Sequence, residues 1–196
     1  MEFGKGKSEL KFYRRRRRLT KKQKIRYAIR AGIALAVIIL AIMVTIAFGK
    51  RVKVSDSSMN PTLENAQTVC IDRLRYKIFK PKKGDIIAFA PQGSERSVVQ
   101  VKRVVGTPGD KIQIKKGKLY INGEVQKDEF SAEDIKNAGI CETELTVEDD
   151  HYFVLGDDRN NSEDSRYDTV GNVSSADIIG KVWIRVSPIF ALGFYF

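Results

Sequence analysis

The sequence has very few of the residues from which metal sites and disulfide frameworks are built. Its 196 residues include one histidine, His151, and two cysteines, Cys70 and Cys141. One histidine excludes a histidine-rich metal site, and two cysteines are too few for a disulfide framework and match no zinc-binding spacing. We interpret the cysteines as separate buried thiols, with a single disulfide as the alternative in an oxidising space. We therefore expect neither a metal nor a cofactor.

Acidic residues are scarce near the N-terminus, and this scarcity explains the net charge of +11. Residues 1–30 contain 13 of the 35 basic residues and two of the 24 acidic ones, which leaves 22 of each in the rest of the chain. A nucleic-acid-binding domain spreads positive charge over a folded face, so we expect no nucleic-acid partner. We interpret the run Arg14–Arg18 as a topology signal that contacts anionic lipid.

Charge is absent from residues 31–48, which are apolar almost throughout. A helix of this length spans about 27 Å, close to the ~30 Å hydrocarbon core of a bilayer. Basic residues are far more numerous before the segment than after it, so the positive-inside rule predicts a cytoplasmic N-terminus. The alternatives are a buried core helix and a signal peptide cleaved near Thr45–Ala47. We favour an uncleaved anchor because the apolar run is longer than a usual signal-peptide core.

After this segment, short runs rich in Val, Ile, Phe and Tyr recur between turn residues. The runs are 67–73, 84–90, 97–106, 110–115, 118–123, 151–157 and 178–186. Many short strands at close spacing predict a folded-over β domain. Asn122-Gly123 predicts a hairpin turn, and the polar stretch 131–148 is expected to be a loop or short helix. The chain thus divides into a basic cytoplasmic tail (1–30), a transmembrane signal anchor (31–49) and an extracytoplasmic β-rich domain (50–196).

Ser58 begins the stretch Ser58-Met59-Asn60-Pro61-Thr62-Leu63, shortly after the apolar segment. Pro61 keeps Asn60 out of the helical region and stiffens the turn. A serine on a fixed turn can act as a nucleophile and can offer its own backbone N–H to an oxyanion. An ordinary surface turn is the alternative interpretation of so short a fragment.

A nucleophilic serine needs a base, and the sequence offers two candidates. Lys102 lies in an almost continuous apolar run, where period-2 alternation places it on one strand face with Val98, Gln100 and Val104. If burial removes water from the lysine, its pKa falls from about 10.4 towards neutrality, and the neutral amine can take the serine proton. The alternative is a strand lysine that extends into solvent. His151 is interpreted as a strand-edge residue without a catalytic role.

The segment 156–166 is a dense polar loop whose acids and asparagines favour turns. Within it, Ser162 can supply a hydroxyl to orient a lysine, while Asp164 and Arg166 can pair and hold the loop. A plain surface loop is one alternative. A calcium loop is another, although the EF-hand spacing and its closing Glu are absent.

Four stretches, in chain order, resemble the motif boxes of bacterial type I signal peptidases, which are Ser–Lys serine proteases. An N-terminal anchor before the boxes fits the same family, and its single span resembles the shorter, single-anchor form. The resemblance covers the chain from residue 31 to about 186. The four stretches are Ser58-Met59-x-Pro61-Thr62-Leu63, Gly84-Asp85-Ile86-Ile87, Val101-Lys102-Arg103-Val104-Val105-Gly106-x-Pro108-Gly109-Asp110 and Gly156-Asp157-Asp158-Arg159-x-Asn161-Ser162-x-Asp164-Ser165-Arg166.

The resemblance implies a fold, a set of site residues and a reaction. The fold is mainly β, a folded-over catalytic domain behind one N-terminal transmembrane helix. Ser58 is implied as the nucleophile and as the backbone oxyanion donor, Lys102 as the general base, and Ser162 as the residue that orients Lys102. The implied supporting residues are Asp164, Arg166 and Arg103.

The implied substrates are exported preproteins, which the enzyme cuts after small residues at positions −3 and −1, and membrane lipid is an implied partner. Two alternatives stay open. One is a self-cleaving Ser–Lys protease of the repressor type, although the anchor and the missing helix-turn-helix argue against it. The other is a non-enzymatic, membrane-anchored β-domain that binds exported partners.

One position departs from the family pattern. In some members a hydroxyl two residues before the nucleophile supplies a second oxyanion donor, whereas this sequence has Asp56, whose carboxylate cannot donate. Ser57 is adjacent but is expected to point elsewhere. The second donor is therefore unassigned, and Asp56→Ser is expected to leave activity unchanged or to raise it.

Overall fold

The computed structural model of the chain describes residues 20–48, 50–91, 98–127, 133–187 and 193–194. The chain forms two compact units, Met1–Ile42 and Met43–Phe196. Of the predicted basic tail, residues 1–19 lie outside the described residues, and with them the run Arg14–Arg18.

The apolar segment lies in one long helix, α1 (Lys21–Phe48). The helix begins ten residues before the anchor predicted at 31–49, because Thr20 and Gln23 form a capping box. Gln23 N donates to Thr20 Oγ1 at 3.4 Å, and Thr20 N donates to Gln23 Oε1 at 3.0 Å. The side chains of residues 21–45 are exposed, and this stretch is long and apolar enough to cross a membrane.

The rest of the described chain is mainly β, as the sequence predicted, with one short helix, α2 (Arg75–Ile78). The strands, in chain order, are β1 (Lys50–Lys53), β2 (Thr68–Asp72), β3 (Ile86–Phe89), β4 (Gln100–Gly106), β5 (Lys111–Lys115), β6 (Lys118–Ile121), β7 (Glu124–Val125), β8 (Leu145–Thr146), β9 (His151–Leu155), β10 (Val173–Ser174), β11 (Ile178–Ser187) and β12 (Gly193–Phe194).

These strands form two antiparallel sheets. In the part of the chain that the structure describes, the larger sheet has eight strands in the order β1-β2-β11-β3-β4-β9-β10, with β12 beside β11. The smaller sheet has four, in the order β7-β6-β5-β8. Strands β3 and β4 are central in the larger sheet, and all four residues of β3 are buried.

Hydrophobic side chains fill both faces of the larger sheet. One cluster packs Val101 of β4 against the strands β1 and β2 and the turn after β1. A second cluster joins the two sheets, because it contains Ile112 of β5 together with Phe153 and Leu155 of β9. Side chains pack against both faces of β4. The side chains of this strand are therefore held in fixed positions.

The predicted hairpin turn at Asn122-Gly123 is confirmed. Asn122 and Gly123 have φ of 52° and 82° and join β6 to β7, with Ile121 paired to Glu124. Two positive φ values are what a two-residue hairpin turn requires.

The polar stretch 131–148 contains the expected short helix, a 3-10 turn at Gly139–Glu142, but also the strand β8, which was not predicted.

Both cysteines are free buried thiols, so the interpretation as separate thiols is confirmed over the disulfide. Cys141 belongs to the cluster between the two sheets. Burial raises the pKa of the Cys141 thiol to about 12. This thiol is therefore not a candidate nucleophile.

Candidate active site

Ser58 lies in the turn between β1 and β2, and the hydrophobic core holds this turn in place. Met59 and Leu63 are fully buried in the cluster that contains β1 and β2. Leu63 N donates to Met59 O at 2.8 Å, and the Asn60–Pro61 peptide bond is cis. The turn that carries Ser58 is thus anchored in the core by the residues directly after it.

Lys102 projects from the centre of the larger sheet, and its side chain reaches Ser58. Its partner on β3 is Ile87, and the lysine is only 1% exposed. Lys102 Nζ lies 2.5 Å from Ser58 Oγ. The alternative, a lysine that extends into solvent, is therefore wrong. The expected neighbour Val98 is 69% exposed and precedes the strand, so it does not bury the lysine.

Asp56 completes a three-residue cluster that the sequence did not predict. Its Oδ1 accepts hydrogen bonds from Ser58 Oγ at 2.7 Å and from Ser58 N at 3.2 Å. Its Oδ2 lies 3.4 Å from Lys102 Nζ. The available signal was an Asp two residues before the serine, because an Asp side chain commonly accepts the backbone N–H two residues on.

The environment keeps Asp56 ionised at neutral pH. Partial burial acts to raise the pKa of its carboxyl group, but the hydrogen bonds from Ser58 and the charge of Lys102 outweigh burial and lower it.

The expected oxyanion donor is occupied in this arrangement. The Ser58 backbone N–H donates to Asp56, so it does not point into empty space as an unused donor would. Ser57 points elsewhere, as expected, because its Oγ accepts from Asn161 Nδ2 at 2.9 Å.

The loop that follows β9 packs directly on the nucleophile. Asp158 N donates to Ser58 O at 2.9 Å. A Cβ placed on Gly156 would overlap Ser58 O and Ser162 Oγ, so only glycine allows this close approach. The motif box 156–166 therefore forms one wall of the site.

Ser162 does not make the contact that the family resemblance implied. Its Oγ is buried and has no hydrogen-bond partner among the described residues, so it does not bind Lys102 Nζ in this structure. It does lie close to Gly156 and line the same cavity as Ser58. The cavity has a volume of about 550 Å³ and is lined by Asp56, Ser57, Ser58, Asn160, Asn161, Ser162, Glu163 and Tyr167.

Asp164 and Arg166 form a fully buried ion pair, as the sequence suggested. Arg166 Nε donates to Asp164 Oδ1 at 2.8 Å and Nη2 donates to Oδ2 at 2.9 Å. The pair also ties the loop to β9, because Asp164 Oδ2 accepts from Gly156 N at 3.1 Å.

Arg103 forms a second buried pair beside the site. Its Nε and Nη2 each donate to Asp157 at 2.7 Å, which links β4 to the same loop. The carboxylates of Asp157 and Asp164 are thus bound by arginines, which argues against the calcium-loop alternative. No group of metal-binding side chains occurs within the described residues.

Two other motif acids have structural partners rather than contacts with Ser58 or Lys102. Asp85 accepts from the buried Lys181 Nζ at 2.8 Å. Asp110 accepts from Lys83 Nζ at 2.9 Å and from Thr107 N at 2.7 Å. The aspartates of the Gly-Asp and Pro-Gly-Asp motifs therefore hold loops in place through these bonds.

His151 is not placed to act as the base. Its Nδ1 lies 2.8 Å from Asp149 O and 3.8 Å from Glu148 Oε2. It begins β9, and Gly156, which packs close to Ser58 O, lies five positions further along, about 16 Å in an extended strand. The geometry therefore favours a lysine partner for Ser58.

Comparison with known proteins points to one family. The chain matches the family model described as "Signal peptidase, peptidase S26" over residues 25–187. It is 36% identical over 170 residues to "Signal peptidase I U" of Bacillus subtilis, which covers 83% of this chain and 88% of that protein. It is 31% identical over 161 residues to "Probable signal peptidase I-2" of Synechocystis sp., which covers 80% of this chain and 71% of that protein.

A solved signal peptidase I from Enterococcus faecalis is similar at 32% sequence identity and a TM-score of 0.44, over 54% of this chain and 98% of that one. A match to a peptidase family argues against the non-enzymatic β-domain. The family model spans most of the chain, and the relatives align over most of their own length. The chain therefore belongs to the signal peptidase family, peptidase S26.

Proposed function

We propose that the chain is a membrane-bound serine endopeptidase that removes signal peptides from exported preproteins, with Ser58 as nucleophile and Lys102 as general base. The observation that carries this proposal is the 2.5 Å contact between Ser58 Oγ and a buried Lys102 Nζ. Membership of a peptidase family and the relatives named signal peptidase I support the substrate class.

The chemistry is acyl transfer through the serine. Neutral Lys102 takes the hydroxyl proton as Ser58 Oγ attacks the scissile carbonyl, and the protonated lysine then gives that proton to the leaving amine. The same lysine next removes a proton from water, which attacks the acyl-enzyme and releases Ser58. The contact of Lys102 Nζ with Ser58 Oγ in a buried position supports this role, because a general base must lie within hydrogen-bond reach of the proton that it removes.

The remaining residues act by holding the dyad. Arg103 and the Asp164–Arg166 pair fix β4 and the loop beside Ser58 through buried hydrogen bonds. Ser162 has an unpartnered buried hydroxyl next to Gly156, and we propose that it orients Lys102 once substrate is bound. The backbone N–H of Ser58 is the proposed oxyanion donor.

The proposed substrates have small residues at positions −3 and −1 and bind in an extended form along a sheet edge. The test is cleavage of a purified preprotein by the full chain in detergent. Replacing the −1 alanine of that preprotein with a bulky residue should stop cleavage, whereas the same replacement at −2 should have a small effect. Equal cleavage of both variants would contradict the proposed specificity.

We propose the same three parts for the chain as before: a cytoplasmic tail at 1–30, a transmembrane anchor at 31–49 and an extracytoplasmic catalytic domain at 50–196. The support is the one long apolar helix found in the described part of the chain and the excess of basic residues before it. The tail would contact anionic lipid through Arg14–Arg18.

This topology predicts the outcome of protease protection. Protease added to spheroplasts should digest the part of the chain after residue 50 and spare an epitope placed on the N-terminal tail. The physical reason is that lysines and arginines before the helix are retained in the cytoplasm. A protected C-terminal domain would overturn both the orientation and the export of the catalytic domain.

Gly156→Ala is expected to lower kcat/KM by about 100-fold, because the added methyl group displaces Ser58 and misplacement of a nucleophile by about 1 Å has this effect. The methyl group would overlap Ser58 O. Cleavage rates and the thermal midpoint measure activity and folding separately. Gly32→Ala is the control, because its added methyl meets no atom within 4 Å. Equal activity of the two variants would contradict the close packing described.

A further inference from the structure

We propose that Asp56 is a carboxylate gate: in the resting enzyme it holds Ser58 and Lys102 in an unreactive arrangement, and the arriving substrate displaces it. The inference rests on the proposed function, because it assigns a further role within the same site. The sequence treated Asp56 only as a missing donor, whereas the structure gives it contacts with both catalytic residues.

The Asp56 carboxylate is bonded to the proposed oxyanion donor, the Ser58 backbone N–H. Asp56 Oδ1 accepts the Ser58 backbone N–H at 3.2 Å. An oxyanion must lie about 3 Å from the same donor to be stabilised. A carboxylate oxygen and an oxyanion cannot share this position, since they compete for one proton and repel each other. The carboxylate therefore has to leave before the tetrahedral intermediate can form.

The gate also directs the serine hydroxyl away from the base. When Lys102 is an ammonium, it donates to Ser58 Oγ at 2.5 Å, so the hydroxyl proton points to Asp56 Oδ1 at 2.7 Å. The second carboxylate oxygen closes the ring at 3.4 Å from Lys102 Nζ. In this arrangement the lysine has no free lone pair, and Ser58 cannot transfer its proton to it.

Asp56 has room to move away. Its side chain is 48% exposed, whereas that of Lys102 is 1% exposed. The carboxylate lines the cavity beside Ser58, so rotation returns it to water without opening the core. Entry of a peptide carbonyl at Ser58 N supplies the competing acceptor that drives the exchange.

Displacement of Asp56 also leaves Lys102 without an acidic neighbour. Asp56 is the one carboxylate within 4.0 Å of Lys102 Nζ among the described residues. Three other acids of the surrounding strands and loop are paired with bases, in the pairs Arg103–Asp157, Lys181–Asp85 and Arg166–Asp164. The same loop also carries Asp158 and the buried Arg159. Glu163 and Tyr167 line the cavity without a bond to the lysine. Once Asp56 has moved away, the contact between Lys102 Nζ and Ser58 Oγ no longer includes a carboxylate.

The first test is kcat/KM for preprotein cleavage by Asp56→Asn and Asp56→Ser in the full chain. Neither replacement carries a negative charge, so neither repels an oxyanion at the Ser58 backbone N–H. We expect kcat/KM to rise about tenfold, which corresponds to about 1.4 kcal/mol of barrier. Glu144→Gln is the matched control, since it removes an exposed carboxylate 3.1 Å from Lys111 Nζ.

The second test does not depend on preprotein cleavage. A peptide aldehyde that ends in alanine forms a hemiacetal with Ser58: the Oγ–carbon bond forms, and the hydroxyl proton passes to the aldehyde oxygen. Asp56→Ser should bind this aldehyde about tenfold more tightly than the wild type, and Glu144→Gln should bind it equally. Circular dichroism confirms that each variant is folded.

Two results would overturn the gate. One is a tenfold or larger fall in kcat/KM for both Asp56 variants, which would make Asp56 a residue that assists catalysis. The other is an unchanged aldehyde affinity of Asp56→Ser. If the wild type binds the aldehyde but cleaves no preprotein, the proposed function fails while the comparison of affinities still decides the role of Asp56.

Discussion

Lys102→Arg should nearly abolish preprotein cleavage, although the substitution keeps the positive charge and almost the length of the side chain. A guanidinium does not lose its proton in the working pH range, so it cannot accept the proton of Ser58. Loss of a positioned general base lowers the rate by about 10²–10⁴-fold. The measurement is kcat/KM for a purified preprotein at several pH values.

His151→Ala is the control for the identity of the base. His151 contacts Asp149 and Glu148 rather than Ser58, so a folded His151→Ala enzyme should cleave at the wild-type rate. An active Lys102→Arg enzyme together with an inactive but folded His151→Ala enzyme would replace the Ser–Lys dyad with a Ser–His mechanism.

Asp164→Asn should destabilise the catalytic domain by about 3–5 kcal/mol, because it leaves the buried charge of Arg166 without its counterion. Arg166 and Asp164 are 1% and 0% exposed. The substitution keeps the shape of the side chain, so the effect measures the loss of charge rather than of packing. Chemical denaturation of the full chain in detergent gives the change in free energy of unfolding.

The surface pair Lys111–Glu144 is the matched comparison. Its side chains are 56% and 47% exposed, with a 3.1 Å contact. Glu144→Gln should cost less than about 1 kcal/mol, because water and salt screen exposed pairs. Similar losses for the two variants would mean that the loop beside Ser58 does not depend on its buried ion pair.

The sequence predicts the dyad because the chemistry of its two members is local. Ser58 lies on a proline-stiffened turn and Lys102 lies in an apolar strand, and both features are visible in short stretches. The residues sit 44 positions apart, so only the pairing of β4 with its neighbours brings Nζ to Oγ. The four ordered motifs supplied that long-range information.

The role of Asp56 was not predicted, because it depends on where one side chain points. The sequence shows that position 56 carries a carboxylate, which cannot donate a hydrogen bond. It does not show that the two carboxylate oxygens contact both Ser58 and Lys102. Ser162 is the converse case: the family resemblance implied a contact that this arrangement lacks, and its role stays a prediction. Side-chain directions at a turn depend on tertiary packing and are poorly specified by sequence.

Element boundaries were missed where elements are very short or capped by local bonds. β8 and β10 have two residues each, too few for an alternating pattern to be recognised. The start of α1 was placed at the end of the charged stretch, whereas the Thr20–Gln23 capping bonds begin the helix earlier. Hydropathy marks a membrane-spanning stretch, but it does not mark the end of a helix.

The most direct test of the account is preprotein cleavage by the purified full chain and by Ser58→Ala, with the masses of both products measured. The account predicts that the wild type releases an intact signal peptide and a mature protein, cut after the small residue at −1. It predicts that Ser58→Ala, folded to the same extent, releases neither. Cleavage at the same bond by Ser58→Ala would contradict the assignment of Ser58 as the nucleophile.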